Sequence, residues 1–218
     1  KDIYVVIEQR DGNVQKGGLE LVCEANRLAE CLGQDVVAVI MGDNVSSKAE
    51  LPFKYGANKV IVVEDPMLKD YVTEPYTKAL TKVIGEFKPE IVLFGATAIG
   101  RDLAPRVASR IHTGLTADCT SLDIDPESKL LLMTRPAFGG NIMATIVCRN
   151  YKPQMATVRP GVMKLIEKDK FEKGEIVNFK VDFLPEDMNV EILKVTKEEK
   201  KHVDITETKI LVSGGRGV

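Results

Sequence analysis

The sequence predicts an α/β fold with a mostly parallel sheet flanked by helices and with added antiparallel strands. Two observations predict it. Short apolar runs alternate with amphipathic segments through the first half, and strand-length runs follow one another without helices after Ile111. With 218 residues, of which 44% are hydrophobic and 28% charged, the chain is long enough for one large domain or for one domain plus a fragment.

The first half consists of four strand–helix units in series, which predict a parallel sheet covered on both faces. Its apolar runs are rich in β-branched residues, and Gly33, Gly56 and the segment 85–89 fall at or near predicted helix ends. The predicted elements are, alternately strand and helix, Ile3–Ile7, Leu19–Leu32, Val36–Met41, Ser47–Tyr55, Val60–Val63, Tyr76–Phe87, Ile91–Phe94 and Arg101–Ile111.

The second half is predicted to contain antiparallel or mixed strands. Two more strands, Ile176–Phe183 and Val190–Val195, bracket the turn Leu184–Asp187, and the charged segment Lys197–Asp204 indicates a solvated helix end or linker. The earlier strands of this half are Cys119–Ile124, Leu130–Arg135, Ile142–Cys148 and Met155–Val158.

Composition excludes several classes of function. The 30 basic and 32 acidic residues nearly balance and Trp is missing, so nucleic acid is not an expected partner. The four cysteines form no CxxC pair and the two histidines are scattered, which argues against a metal site. No apolar run reaches the roughly 18 residues that span a bilayer. We therefore expect a protein of a reducing compartment, bacterial cytoplasm or mitochondrial matrix, with no membrane span.

The segment Phe94–Arg106 is the first candidate for ligand binding, because it follows the fourth strand and opens a helix. Gly95 and Gly100 allow close approach of backbone, and Thr97 can cap the helix or meet a phosphate. Arg101 and Arg106 add donors. The alternative is a glycine-containing turn followed by surface arginines.

The segment Thr134–Asn141 is the second candidate. Arg135 precedes a proline, which holds its backbone extended, and the glycines behind it predict a tight loop that aims one guanidinium outward. Such a group could stabilise an anion. The alternative is a hairpin connection with a solvated arginine.

The segment Thr113–Thr120 is the third candidate, since Thr116 and Asp118 could meet a cofactor or a partner chain. The alternative is that the hydroxyls and the aspartate, at the start of a strand, only form capping and turn hydrogen bonds. His112 has no nucleophile nearby in the sequence, and no paired carboxylates, triad or metal motif stands elsewhere. The chain is not predicted to hold a self-contained catalytic site.

The last residues predict a strand, Lys209–Val212, followed by the glycine-rich turn Ser213–Gly217. Such a turn forms an anion site when a helix follows it. We therefore divide the chain into an α/β domain at residues 1–204 and, at 205–218, the start of a second domain that is truncated or otherwise missing.

Four segments in this order resemble the alpha subunit of electron transfer flavoproteins. They are GATAIGRDLAPRVA at 95–108, TGLTADCT at 113–120, TRPAFGGNIMA at 134–144 with PQMATVRP at 153–160, and VSGGRG at 212–217. The resemblance implies an adenine-nucleotide-hydrolase-like α/β domain in a heterodimer with a beta subunit. It also implies an FAD that is held mostly by a following domain of the alpha subunit.

The resemblance also implies functional residues. Arg216 matches an arginine that contacts the alpha FAD, and Ser213, Gly214 and Gly215 shape the same turn. The TRPAFGGN form is similar to the electron-bifurcating subgroup, in which a second FAD, in place of AMP, lies in the beta subunit and accepts hydride from NADH. In that subgroup Arg135, with Gly139, Gly140 and Asn141, faces the beta-subunit flavin.

The implied function is electron transfer between NADH or dehydrogenases and acceptors, with an acyl-CoA dehydrogenase and a ferredoxin or flavodoxin as partners. A conventional, non-bifurcating flavoprotein is one alternative. An ATP-binding α/β enzyme is another, although Glu8–Asn13 after the first strand is not a phosphate loop. A purely structural domain that docks a partner is the third.

Overall fold

The short apolar runs of the sequence pair into one seven-stranded sheet, in which every pair of neighbours is parallel. The computed structural model describes residues 2–10, 12–196 and 210–217. Within them, the elements in chain order are β1 (Ile3–Ile7), β2 (Gln9–Arg10), β3 (Asn13–Val14), α1 (Lys16–Leu32), β4 (Val36–Gly42), β5 (Lys59–Glu64), α2 (Thr73–Phe87), β6 (Ile91–Gly95), α3 (Ala98–Arg110), β7 (Leu115–Cys119), β8 (Ser121–Ile124), β9 (Leu131–Ala137), β10 (Ile142–Ile146), β11 (Gln154–Val158) and β12 (Glu175–Asn178).

The order of the strands in the sheet is β12-β5-β4-β1-β6-β11-β7, so β1 lies at its centre. The chain builds outward from β1 to β4 and β5 on one side, and then continues on the other side with β6. The strand order therefore reverses between β1 and β6. Strands β8, β9 and β10 form a separate antiparallel sheet, and β2 and β3 form a small hairpin.

Both faces of the sheet are covered, because each strand sends alternate apolar side chains to opposite sides. Ile3 and Val5 belong to one core cluster with α1 and the β8–β10 sheet, whereas Tyr4 and Val6 belong to a second cluster with α2 and α3. The predicted fold class is thereby confirmed, including the added antiparallel strands.

Two predicted strands of the second half lie differently from the prediction. Met155–Val158 is part of β11, which is buried along its whole length between β6 and β7 and runs parallel to both. Cys119–Ile124 is divided at Thr120 between the two sheets. Asp118 has a φ of 66° beside a β-bulge in the pairing of β7 with β11, and this irregularity turns the chain out of the main sheet.

One predicted helix of the first half was wrong. Ser47–Tyr55 forms two short 3-10 helices, Ser46–Lys48 and Leu51–Tyr55, and the second has Pro52 in its first turn. The segment 85–89 lies at the end of α2, as predicted, because α2 ends at Phe87 and Pro89 follows.

Of the predicted pair Ile176–Phe183 and Val190–Val195, only residues 175–178 form a strand, and that strand pairs parallel with β5. Residues 190–195 form no strand. The intervening turn is the 3-10 helix Pro185–Asp187. The predicted linker at 197–204 lies outside the described residues, as does the proposed domain boundary.

Candidate functional site

A cavity of about 310 Å³ opens at the carboxyl ends of β1, β4 and β6, where the strand order reverses. Open α/β sheets bind ligands at this position. Its walls are largely apolar and include Ile7, Met41, Phe94 and Leu103. Gly95 and Gly100 of the first candidate segment also line it.

Thr97 caps α3, as the sequence indicated. Its Oγ1 accepts a hydrogen bond of 3.0 Å from the backbone N–H of Gly100. The same hydroxyl donates to the carboxylate of Glu8, which also accepts a 2.8 Å bond from Nε of Arg10. A Cβ at Gly100 would lie 1.8 Å from the carbonyl oxygen of Gly95. The close approach that Gly100 permits is therefore between two parts of the chain.

Polar groups at the mouth of the cavity were missed by sequence reasoning. Gln9 donates from Nε2 to the Tyr76 hydroxyl at 3.3 Å, and this hydroxyl donates to the carbonyl of Leu68 at 2.8 Å. Burial raises the pKa of Tyr76 to about 12, so the phenol is neutral at neutral pH. In the sequence, the available indication for Gln9 was its position two residues after a buried strand.

Arg101 and Arg106 do not line the cavity. Arg101 forms an ion pair of 2.8 Å with Asp118, and Arg106 forms one of 3.2 Å with Glu74. Both guanidinium groups are more than half exposed. The two arginines therefore match the alternative interpretation, surface residues that follow a glycine-containing turn.

Asp118 is held by several contacts in the third candidate segment. Its backbone N–H donates to Oγ1 of Thr157 at 2.9 Å, and its carboxylate also meets Arg159 at 3.4 Å. Thr116 is buried. His112 is exposed and has a φ of 57° in the turn after α3. These residues have structural roles at the end of α3 and in β7.

Arg135 is the predicted site residue with a charge that is partly buried and has no partner among the described residues. It lies on β9 at the same alternation as the buried Leu131 and Met133. Its Nε is buried and has no hydrogen-bond partner, and among the described residues no carboxylate pairs with it. Burial raises the pKa of the nearby Cys119 thiol to about 11, and the Arg135 charge opposes that rise. The thiol is neutral and does not balance the guanidinium.

The hairpin between β9 and β10 projects apolar side chains into solvent. Gly139 and Gly140 have φ values of 71° and 92°, which confirms the predicted tight loop. Phe138 at the tip is 83% exposed, and Met143 on β10 is 56% exposed. Asn141 follows the loop and is exposed. Sequence reasoning passed over Phe138, although an aromatic residue before two glycines was the available signal.

The structure brings no other element to the last predicted site. Ser213, Gly214, Gly215 and Arg216 are exposed, and no hydrogen bond or ion pair of the described residues involves them. Ile210–Val212 form no strand, contrary to the prediction for Lys209–Val212, and no strand of the described residues pairs with them. Lys209 itself lies outside the described residues.

The described part of the chain contains no group of three His, Cys, Asp or Glu residues placed to hold a metal ion. In the same residues, no helix has the length and apolar character needed to cross a membrane. All four cysteines are free thiols.

Comparison with known proteins shows one family. The sequence profile described as "Electron transfer flavoprotein domain" matches residues 3–184. The "Electron transfer flavoprotein subunit alpha" of Thermoanaerobacterium thermosaccharolyticum is 50% identical over 218 residues, which cover 100% of this chain and 66% of the relative.

Two other relatives have names that mention further components. The "Acryloyl-CoA reductase electron transfer subunit beta" of Anaerotignum propionicum is 43% identical over 242 residues, covering 100% of this chain and 66% of the relative. The "Lactate dehydrogenase (NAD(+),ferredoxin) subunit LctC" of Acetobacterium woodii is 41% identical over 218 residues, covering 100% of this chain and 52% of the relative. The chain thus spans at most about two thirds of the length of these curated relatives.

Proposed function

The chain belongs to the electron transfer flavoprotein family, and we propose that it acts as an alpha subunit, which passes electrons through FAD in a heterodimer with a beta subunit. The 50% identity to an alpha subunit along the entire chain supports the choice of subunit. No self-contained catalytic centre is needed for this role, since FAD supplies the electron transfer when it is bound.

The unpaired guanidinium of Arg135 is the observation that carries the proposal. A half-buried charge without a partner is energetically costly. An anionic group that meets the guanidinium in the assembled complex would offset this cost. A reduced flavin ring carries such a charge. We propose that Arg135 stabilises this charge on a flavin held by the beta subunit, and that Gly139, Gly140 and Asn141 allow close approach of the backbone.

The β9–β10 hairpin would then dock on the beta subunit. Exposed Phe138, Ile142, Met143 and Ile146 line the hairpin that carries Arg135. Aromatic and large apolar side chains are typical anchors of protein interfaces. Docking through the hairpin would exclude water from Arg135 and thereby strengthen its interaction with an anion.

We also propose that Ser213, Gly214, Gly215 and Arg216 contact a second FAD, at the start of a further domain within 205–218. The greater length of the relatives supports such a domain. Because an FAD site needs contacts from more than one turn, these four residues would contribute only an edge of it.

Electron bifurcation is the finer proposal. In this function NADH is the donor, and the acceptors are an acyl-CoA dehydrogenase and a ferredoxin or flavodoxin. One relative is named for NAD(+) and ferredoxin and another for acryloyl-CoA reductase, which supports this pairing of donors and acceptors. The four free thiols favour a reducing compartment, and we place the complex in bacterial cytoplasm, or in the mitochondrial matrix if the source is eukaryotic.

The experiment is to co-express the chain with its beta subunit and to count FAD and AMP in the purified complex. A bifurcating complex would hold FAD in the beta subunit and oxidise NADH when both acceptors are present. A beta subunit that holds AMP and shows no NADH oxidation would support the conventional flavoprotein. Failure to form a heterodimer would contradict both.

The role of Arg135 is tested by Arg135→Met in that complex, because methionine keeps an unbranched apolar side chain as far as the position of Nε and removes the charge. We expect the reduction potential of the beta-subunit flavin to fall by about 30 mV or more, which is about 1.4 kcal/mol for a two-electron couple. Arg149→Met is the matched control, since Arg149 is exposed and lies near Asp125. Equal potentials in the wild-type protein and Arg135→Met would contradict the proposal.

A further inference from the structure

The cavity at the carboxyl ends of β1, β4 and β6 has the properties of a small-molecule site that the electron transfer role does not use. Its volume of about 310 Å³ is at the lower end of the range for such sites, which is roughly 300–1,000 Å³. It lies where the strand order reverses, and apolar side chains line most of it. We propose that this cavity binds an uncharged nucleoside, represented by adenosine, and that Glu8 excludes its phosphorylated form.

The lining of the cavity matches a flat ring that carries hydrogen-bond donors. Phe94, Tyr71 and Tyr76 provide aromatic surface, and the carboxylates of Glu8 and Asp70 provide acceptors. A carboxylate can accept up to about four hydrogen bonds, so Glu8 retains capacity beyond its bonds to Thr97 and Arg10. The exocyclic amine of adenine and the ribose hydroxyls are donors of this kind.

Phosphate is disfavoured because its usual position is already taken. In open α/β sheets the phosphate sits at a helix N-terminus, where backbone N–H groups and the helix dipole favour an anion. At the N-terminus of α3, the Gly100 N–H is satisfied by Thr97, and Thr97 donates to the carboxylate of Glu8. Arg10 pairs with the same carboxylate. A phosphate at this helix end would meet the negative charge of Glu8, with Arg10 already paired to it. Lys69 is the other basic residue that lines the cavity, and the acidic Asp70 beside it in the sequence lines the cavity too.

The test compares two ligands that differ only by the phosphate. Isothermal titration calorimetry of the 218-residue chain is expected to show saturable binding of adenosine, and binding of adenosine monophosphate that is at least about 10-fold weaker, as expected for like charges brought close together. Glu8→Gln keeps the shape of the side chain and an acceptor for Thr97. It should bring the affinity for the monophosphate to within about 3-fold of that for adenosine.

The second variant is designed to fill the cavity. Ile99 lines the cavity and is partly exposed, so Ile99→Trp can fill the space while the fold is retained, and it should abolish binding of adenosine. Leu165→Trp is the matched control, since Leu165 is exposed and does not line the cavity, and this variant should bind adenosine like the wild type. Circular dichroism checks that both variants are folded.

Two results would overturn the proposal. Equal affinity of the wild-type chain for adenosine and its monophosphate would remove the role of Glu8. Lack of saturable adenosine binding at millimolar concentration would remove the site itself. Neither result bears on flavin binding by the heterodimer, so the inference and the proposed function fail separately.

Discussion

Gly100 shows how a single residue determines the geometry at the edge of the sheet. The first turn of α3 lies so close to the end of β6 that a Cβ at this position would be 1.8 Å from the Gly95 carbonyl oxygen. That oxygen belongs to the backbone and cannot rotate away. Thr97, between these two glycines, donates to Glu8, and Glu8, Gly95 and Gly100 line the cavity.

We predict that Gly100→Ala lowers the free energy of unfolding by about 3 kcal/mol, because the helix and the strand must separate to admit a methyl group. Gly85→Ala is a suitable control. Gly85 is also inside a helix, but its Cβ would meet no atom within 4 Å, so alanine should raise stability by about 0.5–1 kcal/mol. Urea denaturation followed by circular dichroism measures both changes. A similar effect of the two substitutions would contradict the contact.

Arg135 illustrates how far a residue can be interpreted from sequence. The proline after it and the glycines near it predicted a tight hairpin, and that is observed. That its Nε is buried and unpaired was not predictable, because this depends on the packing of β9 against Cys119 of a different sheet. Local sequence determines the shape of a turn, whereas the charge balance around a side chain depends on distant segments.

At the level of elements, the predicted ends of α1 and α2 match the structure, and a left-handed residue follows each helix. Gly33 ends α1 in the left-handed conformation, as its type suggests. In α2 the left-handed position falls to Lys88, with φ 49° and ψ 60°, and Gly85 stays inside the helix. The buried Pro89 follows immediately, which explains why the helix stops there although no glycine is available.

Lys88→Gly should therefore stabilise the protein by about 1 kcal/mol, since glycine adopts the left-handed conformation without steric cost. Lys82→Gly is the matched control on the same helix. Lys82 and Lys88 are both exposed, but position 82 has helical geometry, so glycine should destabilise there by about 1 kcal/mol. Thermal denaturation of the two variants should give shifts of opposite sign. Shifts of the same sign would show that Lys88 is not strained.

The prediction of two strands at 176–183 and 190–195 was only partly correct, because a strand needs a neighbouring strand to pair with. Ile176 pairs with Val60, so the strand adds to the outer edge of the main sheet. Residues 190–195 have similar apolar character, but they have no free strand beside them and form none. Strand formation depends on an available neighbour, and propensity alone does not supply one.

At the scale of the whole molecule, two core clusters share one sheet. Leu28 of α1 is fully buried on one face, and Leu80 of α2 is fully buried on the other. Each strand between them contributes alternate residues to both clusters. Loss of either cluster exposes the same strands, which links the stability of the two faces.

Leu28→Ala and Leu80→Ala are each predicted to lower the free energy of unfolding by about 2–5 kcal/mol, the range for large cavities in a core. Both should shift the same cooperative transition to lower denaturant concentration. Denaturation can be followed by far-ultraviolet circular dichroism and by tyrosine fluorescence. Separate transitions, each sensitive to only one substitution, would show that the two faces unfold independently.

The sequence by itself determined the strands and the three long helices of the first half, the antiparallel hairpin and the family resemblance, because these depend on local periodicity and on short ordered motifs. Only the tertiary structure decided that β11 lies between β6 and β7, that Glu8 meets Thr97, and that Arg135 keeps an unpaired charge. The physical reason is that strand order, ion pairing and burial arise between segments far apart in the chain. Their energies depend on the assembled neighbours, which no local pattern encodes.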